Sequence, residues 1–250
     1  MSPRPVYFLS DAHLGAPFLP DNRERERRLV AFLDRAAADC QAIYLLGDMF
    51  DFWFEYRRVV PRGHVRFLAA LARYTDAGIP VHFFAGNHDA WASDYLADEC
   101  GITLHDRNEF ITLNGKQFLV GHGDGLNPAD RKYLLLRRAF RSPLLRRSFR
   151  LLHPDAGVRL ARACSSRSRE RRDGVVKIHP YRGDDDESIV IYCKQVLQQR
   201  RVDYFIFGHR HLPVDVPLSP HSRYINTGDW ITHFTYARFD GNAVALLEDR

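Results

Sequence analysis

The sequence predicts an α/β fold with an inserted helical cap, and three observations predict it. Strand-like and helix-like segments alternate through the first hundred residues. Five short apolar runs each stop abruptly at a residue able to bind a metal. Beyond residue 126 the texture changes to leucines interleaved with arginines. Alternation of the first kind builds a right-handed parallel half with crossover helices, and open α/β sheets bind ligands where their strands end.

The first apolar run begins at Val6 and passes through Phe8-Leu9-Ser10 to Asp11-Ala12-His13. A charged, then alanine-rich segment from Asp21 to Ala38 places Leu29, Phe32, Leu33 and Ala36 on one helical face,. The strand Ile43-Tyr44-Leu45-Leu46 follows and ends in Gly47-Asp48, running on to Asp51. A second helix from about His64 to Ala77 turns Phe67, Leu68, Leu71 and Ala72 inward and stops at Gly78, with Pro80 beyond,. Next comes Val81-His82-Phe83-Phe84-Ala85, closed by Gly86-Asn87-His88-Asp89.

After His105 a hairpin is expected: Phe110 to Leu113, an Asn114-Gly115 pair suited to a type I′ turn, then Lys116 to Val120 leading into Gly121-His122,. The last run of this design is Phe205-Ile206-Phe207, followed by Gly208-His209-Arg210-His211. A second hairpin is expected between Tyr224-Ile225 and Thr235 to Phe239, with Asp240-Gly241 as its turn,.

The remainder divides as core 1–125 and 183–250 around a cap at 126–182. In the cap Leu134, Leu135, Phe140, Leu144, Leu145, Phe149, Leu151 and Leu152 alternate with arginines, as short amphipathic helices do,. Ser142-Pro143 fits an N-cap and first helical residue.

Composition narrows the function classes. The 250 residues carry a net charge of +5, but Arg131 to Arg172 holds fourteen Lys or Arg against Asp155 and Glu170. That surplus of twelve leaves minus seven elsewhere, so the basicity belongs to one segment and points to a locally engaged anionic partner,. No apolar run approaches the roughly 18 residues of a membrane span, and the first run, from Val6 to Asp11, is expected not to be a secretory leader, since it has neither a long apolar segment nor a small-residue cleavage site,. Cys40, Cys100, Cys164 and Cys193 are too scattered for a zinc pattern and fit reduced packing thiols in a cytoplasm,.

Asp11, His13, Asp48, Asn87, His122, His209 and His211 form an oxygen and nitrogen ligand set without thiolate. Such donors suit Mn²⁺, Fe²⁺ or Zn²⁺ better than a calcium or magnesium cage. Seven are too many for one ion and serve two if one carboxylate bridges. Two ions about 3.5–4 Å apart clamp a phosphoryl group and supply hydroxide at neutral pH. His88 is then left for charge stabilisation or proton donation at the leaving oxygen.

Asp11-x-His13, Gly47-Asp48-x-x-Asp51, Gly86-Asn87-His88-Asp89, Gly121-His122 and Gly208-His209-x-His211 together resemble the signature of calcineurin-like metallophosphoesterases. The resemblance spans roughly residues 6 to 239 and implies a two-layered β-sandwich flanked by helices, four layers in all. It implies that Asp11, His13 and His211 hold one ion, that Asn87, His122 and His209 hold the other, and that Asp48 bridges them. His88 would face the leaving group, with Asp51 and Asp89 behind the ligands to orient an imidazole.

Within that superfamily the chain resembles the UDP-2,3-diacylglucosamine hydrolases of lipid A synthesis. The resemblance rests on Phe8 to Gly15, on Gly47-Asp48-Met49-Phe50-Asp51-Phe52-Trp53, on His122-Gly123-Asp124-Gly125-Leu126, on Gly228-Asp229-Trp230 and on the position of the cap. It implies hydrolysis of a pyrophosphate to UMP and a diacylated glucosamine 1-phosphate, usually with Mn²⁺, at the cytoplasmic face of a bacterial inner membrane. It also implies substrate contacts from Asn87, His88, Asp130, Arg131, Tyr133, Ser166 and His209. Where the best-known members carry arginine and phenylalanine, this chain has His88 and Ala90; histidine is the general superfamily form.

The cap fits the lipid reading, its apolar faces lining an acyl groove and its arginines meeting anionic headgroups. The alternatives are a soluble phosphoesterase of another specificity and a nucleic-acid-binding protein or nuclease. Aromatic stacking positions are sparse among the arginines, so no nucleic acid is expected. A monomer or a homodimer is expected.

Overall fold

Alternation along the first strand sends Val6 and Phe8 to one face and Tyr7 and Leu9 to the other, and all four are buried. A strand buried on both faces lies inside a layered structure. The computed structural model describes residues 3–168, 180, 181, 183 and 186–250. In chain order it holds β1 (Val6–Leu9), α1 (Asn22–Ala37), β2 (Ala42–Leu45), α2 (Val65–Asp76), β3 (Val81–Phe84), α3 (Asp94–Cys100) and β4 (Thr103–His105). The hairpin β5 (Glu109–Leu113) and β6 (Lys116–Val120) leads to α4 (Arg131–Phe140), α5 (Pro143–Phe149) and α6 (Pro154–Ser168). Then come α7 (Ser188–Leu197), β7 (Tyr204–Phe207), β8 (Pro213–Ser219), β9 (Ser222–Thr227), β10 (Thr235–Phe239) and β11 (Val244–Glu248).

The strands form two sheets, ordered β11-β10-β1-β2-β3-β4 and β5-β6-β7-β9-β8. Val6, Phe8, Tyr44 and Phe84 from the first meet Phe118, Val120, Ile206 and Ile225 from the second, making the inner core. On the outer face of the first sheet Tyr7, Leu9, Ile43, Leu45, Val81 and Phe83 pack under α1, α2 and α3. The outer face of the second packs Leu119, Phe205 and Phe207 against Ile189, Val190 and Cys193 of α7. The result is the expected four-layer sandwich, helices outside two sheets. β1 to β4 run parallel, as the alternating pattern requires.

Both crossover helices lie within a residue of their expected ends. The inward face of α2, however, is Phe67, Ala70, Leu71 and Tyr74, with Leu68 and Ala72 only half-buried. Tyr74 is amphipathic and could be read as surface; its ring is buried while its hydroxyl reaches Asp34 at 2.7 Å,. The first turn of α2 is capped from outside. Glu26 of α1 accepts from the backbone N–H groups of Arg66 and Phe67 at 3.0 and 3.2 Å, meeting donors that no residue of α2 can satisfy,.

The Asn114-Gly115 turn forms as expected, with both residues at positive φ (45° and 79°). The hairpin expected between Tyr224-Ile225 and Thr235 to Phe239 does not. β9 pairs with β8 in one sheet, whereas β10 pairs with β1 and β11 in the other, and Asp240-Gly241 turns β10 into β11. The antiparallel partner of β9 was hidden by Pro213 and Pro217, which cannot donate to a ladder. At a sheet edge, where β8 lies, they are tolerated,.

The insertion between β6 and β7 is helical, as its leucine and arginine pattern requires, and Ser142-Pro143 opens α5, although the Ser142 side chain makes no cap bond. The helices are fastened to the core by Phe149, whose ring lies 4.6 and 4.7 Å from those of Phe54 and Trp91, and by a 2.5 Å bond from the Trp91 indole to the Phe140 carbonyl. Most cap leucines do not follow Phe149 inward: Leu135, Leu144 and Leu151 are 70, 75 and 86% exposed. Among the described residues no helix is long and apolar enough to cross a membrane. Cys40, Cys100 and Cys193 are free and buried.

Candidate metal centre

All five ligand-bearing segments leave the C-terminal ends of parallel strands: β1, β2 and β3 in one sheet, β6 and β7 in the other. The segments lock together through the backbone, Asp11 N–H to the Gly47 carbonyl at 3.1 Å and Gly208 N–H to the His122 carbonyl at 3.0 Å. Their turns are sharp. Asp11, His13, Asp48, His209 and His211, five of the seven expected ligands, have φ between 42° and 71°. Side-chain-bearing residues avoid this region, and such strain collects at functional sites where the surroundings hold it.

Two glycines make the approach possible. A Cβ on Gly86 would lie 2.3 Å from Asp48 Oδ1, and one on Gly208 would lie 2.5 Å from Asp11 Oδ2. These two motifs therefore open on glycine because neighbouring side chains fill the space, the Asp48 carboxylate at Gly86 and the Ser10 hydroxyl (2.3 Å) with the Asp11 carboxylate at Gly208.

The structure brings the expected donors into one cluster. Asp11 Oδ1 lies 3.7 Å from His13 Nε2 and 3.4 Å from His211 Nε2. Asp48 Oδ2 lies 3.6 Å from His13 Nε2 and 3.4 Å from His122 Nε2. Asn87 Oδ1 is 3.1 Å from His122 Nε2, and the His209 ring is 5.1 Å from that of His122. Asp11, His13 and His211 form one group able to hold an ion, and Asp11, Asp48 and His122 another. Asp11 Oδ1 is buried and meets no hydrogen bond among the described residues. Spacings of 3.4 to 3.7 Å are long for hydrogen bonds but suit donors that share a cation at roughly 2.0–2.2 Å,.

The electrostatics agree with that fit. Burial alone would raise Asp11 and Asp48, but the imidazoles outweigh it, His211 foremost for Asp11 and His122 foremost for Asp48. Both carboxylates are held well below their usual range. Burial would lower His122, yet Asp48 lifts it to about 10; burial and the charge of His122 push His209 down to about 4. Buried carboxylates beside a proton-holding imidazole form a site where a cation can replace that proton.

Around the donors, the His88 backbone N–H donates to Asp48 Oδ1 at 2.8 Å, and its ring Nδ1 meets the Asp51 carbonyl at 2.8 Å. With Nδ1–H given to a carbonyl, proton exchange falls to Nε2. Asp51 faces imidazoles, 3.7 Å from His13 Nδ1 and 3.9 Å from His88 Nδ1. Asp89 does not. Its carboxylate accepts from the backbone N–H groups of Gly86, Asp48, Met49 and Phe50 at 2.7 to 3.4 Å, binding the β2 and β3 loops to each other.

The expected substrate contacts fare unevenly. Tyr133 lies near the centre, its ring 6.4 Å from His209. Asp130 is the N-cap of α4, accepting from Tyr133 N–H at 3.1 Å, and Arg131 is exposed; neither bonds to a candidate ligand. The Ser166 side chain lies outside the described residues.

Two further carboxylates beside the cluster had no role in the sequence reading. Asp229 Oδ2 lies 3.4 Å from His211 Nδ1, while its Oδ1 accepts from the N–H groups of Ile231, Thr232 and His233. Asp124, two residues after His122, meets Tyr133 at 3.3 Å and Arg137 at 2.5 Å, both from the cap. The available signals were the Gly228-Asp229-Trp230 and His122-Gly123-Asp124 stretches, each directly after a strand.

Residues 4–213 match the model of the calcineurin-like phosphoesterase family. The chain belongs to that family of hydrolases, whose membership implies divalent metal ions, and the donor cluster above fits them.

Within the family the chain is similar to proteins named UDP-2,3-diacylglucosamine hydrolase. It is 43% identical to one from Porphyromonas gingivalis over 98% of each chain. It is 31% identical to one from Edwardsiella ictaluri over 96% of this chain and 90% of that one, and 30% identical to one from Actinobacillus succinogenes over 90% and 91%.

Proposed function

We propose that this chain hydrolyses the pyrophosphate bond of UDP-2,3-diacylglucosamine, releasing UMP and 2,3-diacylglucosamine 1-phosphate. One observation carries the reading: a single carboxylate oxygen of Asp48 stands within 3.6 Å of His13 and 3.4 Å of His122, residues of different sheets, and so can serve both halves of the donor set. The names of the relatives support the substrate.

Asp11, His13 and His211 would hold one divalent ion, Asn87, His122 and His209 the other, and Asp48 both, with Mn²⁺ preferred over Fe²⁺ or Zn²⁺. When bound, such a pair polarises the phosphoryl oxygens and ionises the attacking water. Water oxygen adds to phosphorus as the P–O–P bridge breaks, and His88 hands a proton from Nε2 to the departing phosphate oxygen. Asp51 orients His13 and His88; Asp229 orients His211. No covalent phosphoenzyme forms.

The core (1–125 and 183–250) carries this chemistry, and the cap (126–182) takes the lipid. The exposure of Leu135, Leu144 and Leu151 supports an apolar ligand or surface,. The basic cap would rest on an anionic membrane, at the cytoplasmic face of the inner membrane. Tyr133 is the best supported of the proposed substrate contacts.

The test is UMP release from UDP-2,3-diacylglucosamine with Mn²⁺ and detergent, beside hydrolysis of bis-p-nitrophenyl phosphate. Lipid turnover that vanishes in Asp48→Ala supports the reading. Turnover of the artificial diester alone keeps the metal site and discards the lipid.

A further inference from the structure

The turn that carries Asp11 and His13 is strained at both donors, with φ of 57° and 42° at residues that bear side chains,. Its middle residue, Ala12, is held from outside: the Arg25 guanidinium donates from Nη1 to the Ala12 carbonyl at 2.9 Å. Nη2 of the same fork donates to Asn22 Oδ1, which also accepts from Gly15 N–H at 3.1 Å. Asn22 Nδ2 in turn donates to the carbonyls of Ala16 and Leu19 at 2.7 and 3.3 Å. Two side chains from the first turn of α1 therefore brace the loop between residues 12 and 19. Of the two, Arg25 is the one that reaches between the candidate donors.

Helix formation does not account for Arg25. The start of a helix disfavours a cation, and burying a guanidinium is costly unless it is paired. Arg25 is half-buried, and its Nε is buried without a hydrogen bond among the described residues. Burial lowers it below the usual arginine range, and the charges that oppose this are those of Asp51 and then Asp229. Those two carboxylates stand behind the imidazoles of one half of the site, Asp51 3.7 Å from His13 Nδ1 and Asp229 3.4 Å from His211 Nδ1. The two rings stack with centroids 5.0 Å apart. Anions gathered behind stacked rings repel each other, and a shared cation offsets the repulsion.

We infer that Arg25 is a positioning residue for the half of the site built from Asp11, His13 and His211: it fixes the turn bearing the first two donors and supplies the positive charge that Asp51 and Asp229 share. The inference rests on the two-ion part of the reading above. It separates the halves of the donor set, because Arg25 touches nothing that carries Asn87, His122 or His209.

The test is calorimetric titration of Mn²⁺ alone into the full chain after chelator stripping, read beside the coupled two-ion Mn²⁺ signal in electron paramagnetic resonance. Arg25→Met keeps the apolar stem and removes the charge and the donors. It is expected to weaken one of the two ions by about 10–100-fold, the usual scale for groups that orient metal-ligating imidazoles, while the other ion keeps its affinity. The coupled signal and hydrolysis of bis-p-nitrophenyl phosphate should then fall at limiting Mn²⁺ and return at saturating Mn²⁺. Arg25→Lys, with its charge and one donor site kept, should recover most of the loss. Arg28→Met takes the same charge from the same helix, where Arg28 bonds to the Asp249 carbonyl, and should bind both ions as the native chain does. Native affinity for both ions in Arg25→Met would overturn the inference, and so would equal weakening of both ions or the same loss in Arg28→Met. Arg25→Lys no better than Arg25→Met would leave Arg25 a packing residue and overturn it as well. Should Arg25→Met fail to fold, Arg25→Gln is titrated against the same outcomes. A native chain that binds fewer than two ions would sink the two-ion reading and this inference with it; two ions in the native chain and no defect in Arg25→Met would sink this inference alone.

Discussion

Asp48 Oδ2 stands 3.4 Å from His122 Nε2, joining a residue beyond β2 in one sheet to a residue beyond β6 in the other. The two sheets therefore meet at the candidate centre through a side-chain pair and not only through the apolar core between them. Losing Asp48 breaks the link from which both halves of the donor set are organised.

Asp48→Ala is expected to abolish metal binding and lower kcat by about 10³-fold or more, since metal assistance is worth several kcal/mol and each 1.36 kcal/mol is tenfold. His88→Ala should keep the metal and lose about 10²-fold, the scale of one general acid. Elemental analysis alongside kinetics separates the two, and equal behaviour of the variants would sink the division of roles.

Asp229→Asn keeps the shape of the residue but weakens its hold on His211 Nδ1. Groups that orient metal-ligating imidazoles are typically worth 10–100-fold in metal affinity. A loss of that size in a Mn²⁺ titration is expected, with circular dichroism unchanged; an unaltered titration curve would remove Asp229 from the site.

The cap should matter to the lipid and not to the chemistry. Serine at Leu135, Leu144 and Leu145 together is expected to depress turnover of the diacylated substrate while leaving bis-p-nitrophenyl phosphate untouched. Parallel loss of both activities would mean that these residues support the fold.

Asp124→Asn releases the charged bonds that draw Arg137 and Tyr133 of the cap toward the loop of His122. Charge-assisted bonds are worth roughly 1.5–3 kcal/mol, so KM for the lipid substrate should rise about tenfold or more. Steady-state kinetics on both substrates reads this: the small diester should keep its kcat.

Stability should fall in mild acid. His82, packed on Tyr44 and 3.1 Å from His105, is lowered from 6.5 to about 4 by burial and then by the charge of His105; His105 is lowered too, by burial. A histidine with a depressed folded value favours the folded state while neutral. Its contribution is complete above pH 6.5 and is lost as pH falls toward 4. Urea midpoints measured across that window should drop, and less steeply in His82→Phe.

Legibility varied with the kind of signal. The five motifs could be read because an apolar strand ending in glycine and a donor is a local pattern, and all five lie where strands end. Asp89 was expected to orient an imidazole, as its place beside His88 in sequence suggests, but its carboxylate turns to four backbone N–H groups from two loops. Asp229 joins His211 across eighteen positions of sequence, and no periodicity reports that. The proline-bearing β8 and the buried Tyr74 were missed for the same reason: edge position and amphipathic burial are properties of neighbours.

The sequence by itself determined the alternating α/β order, the helical insertion and the placing of seven candidate donors at strand ends, since residue type, alternation and turn chemistry act over a few residues. The tertiary structure alone decided which candidate donors stand within reach of one another, which carboxylates lie beside them, and that Arg57 and Arg58 of the core join the arginines of α5 around one cavity. Coulomb forces and hydrogen bonds act over a few ångströms in space, and the packing of the two sheets sets which distant residues come within that reach.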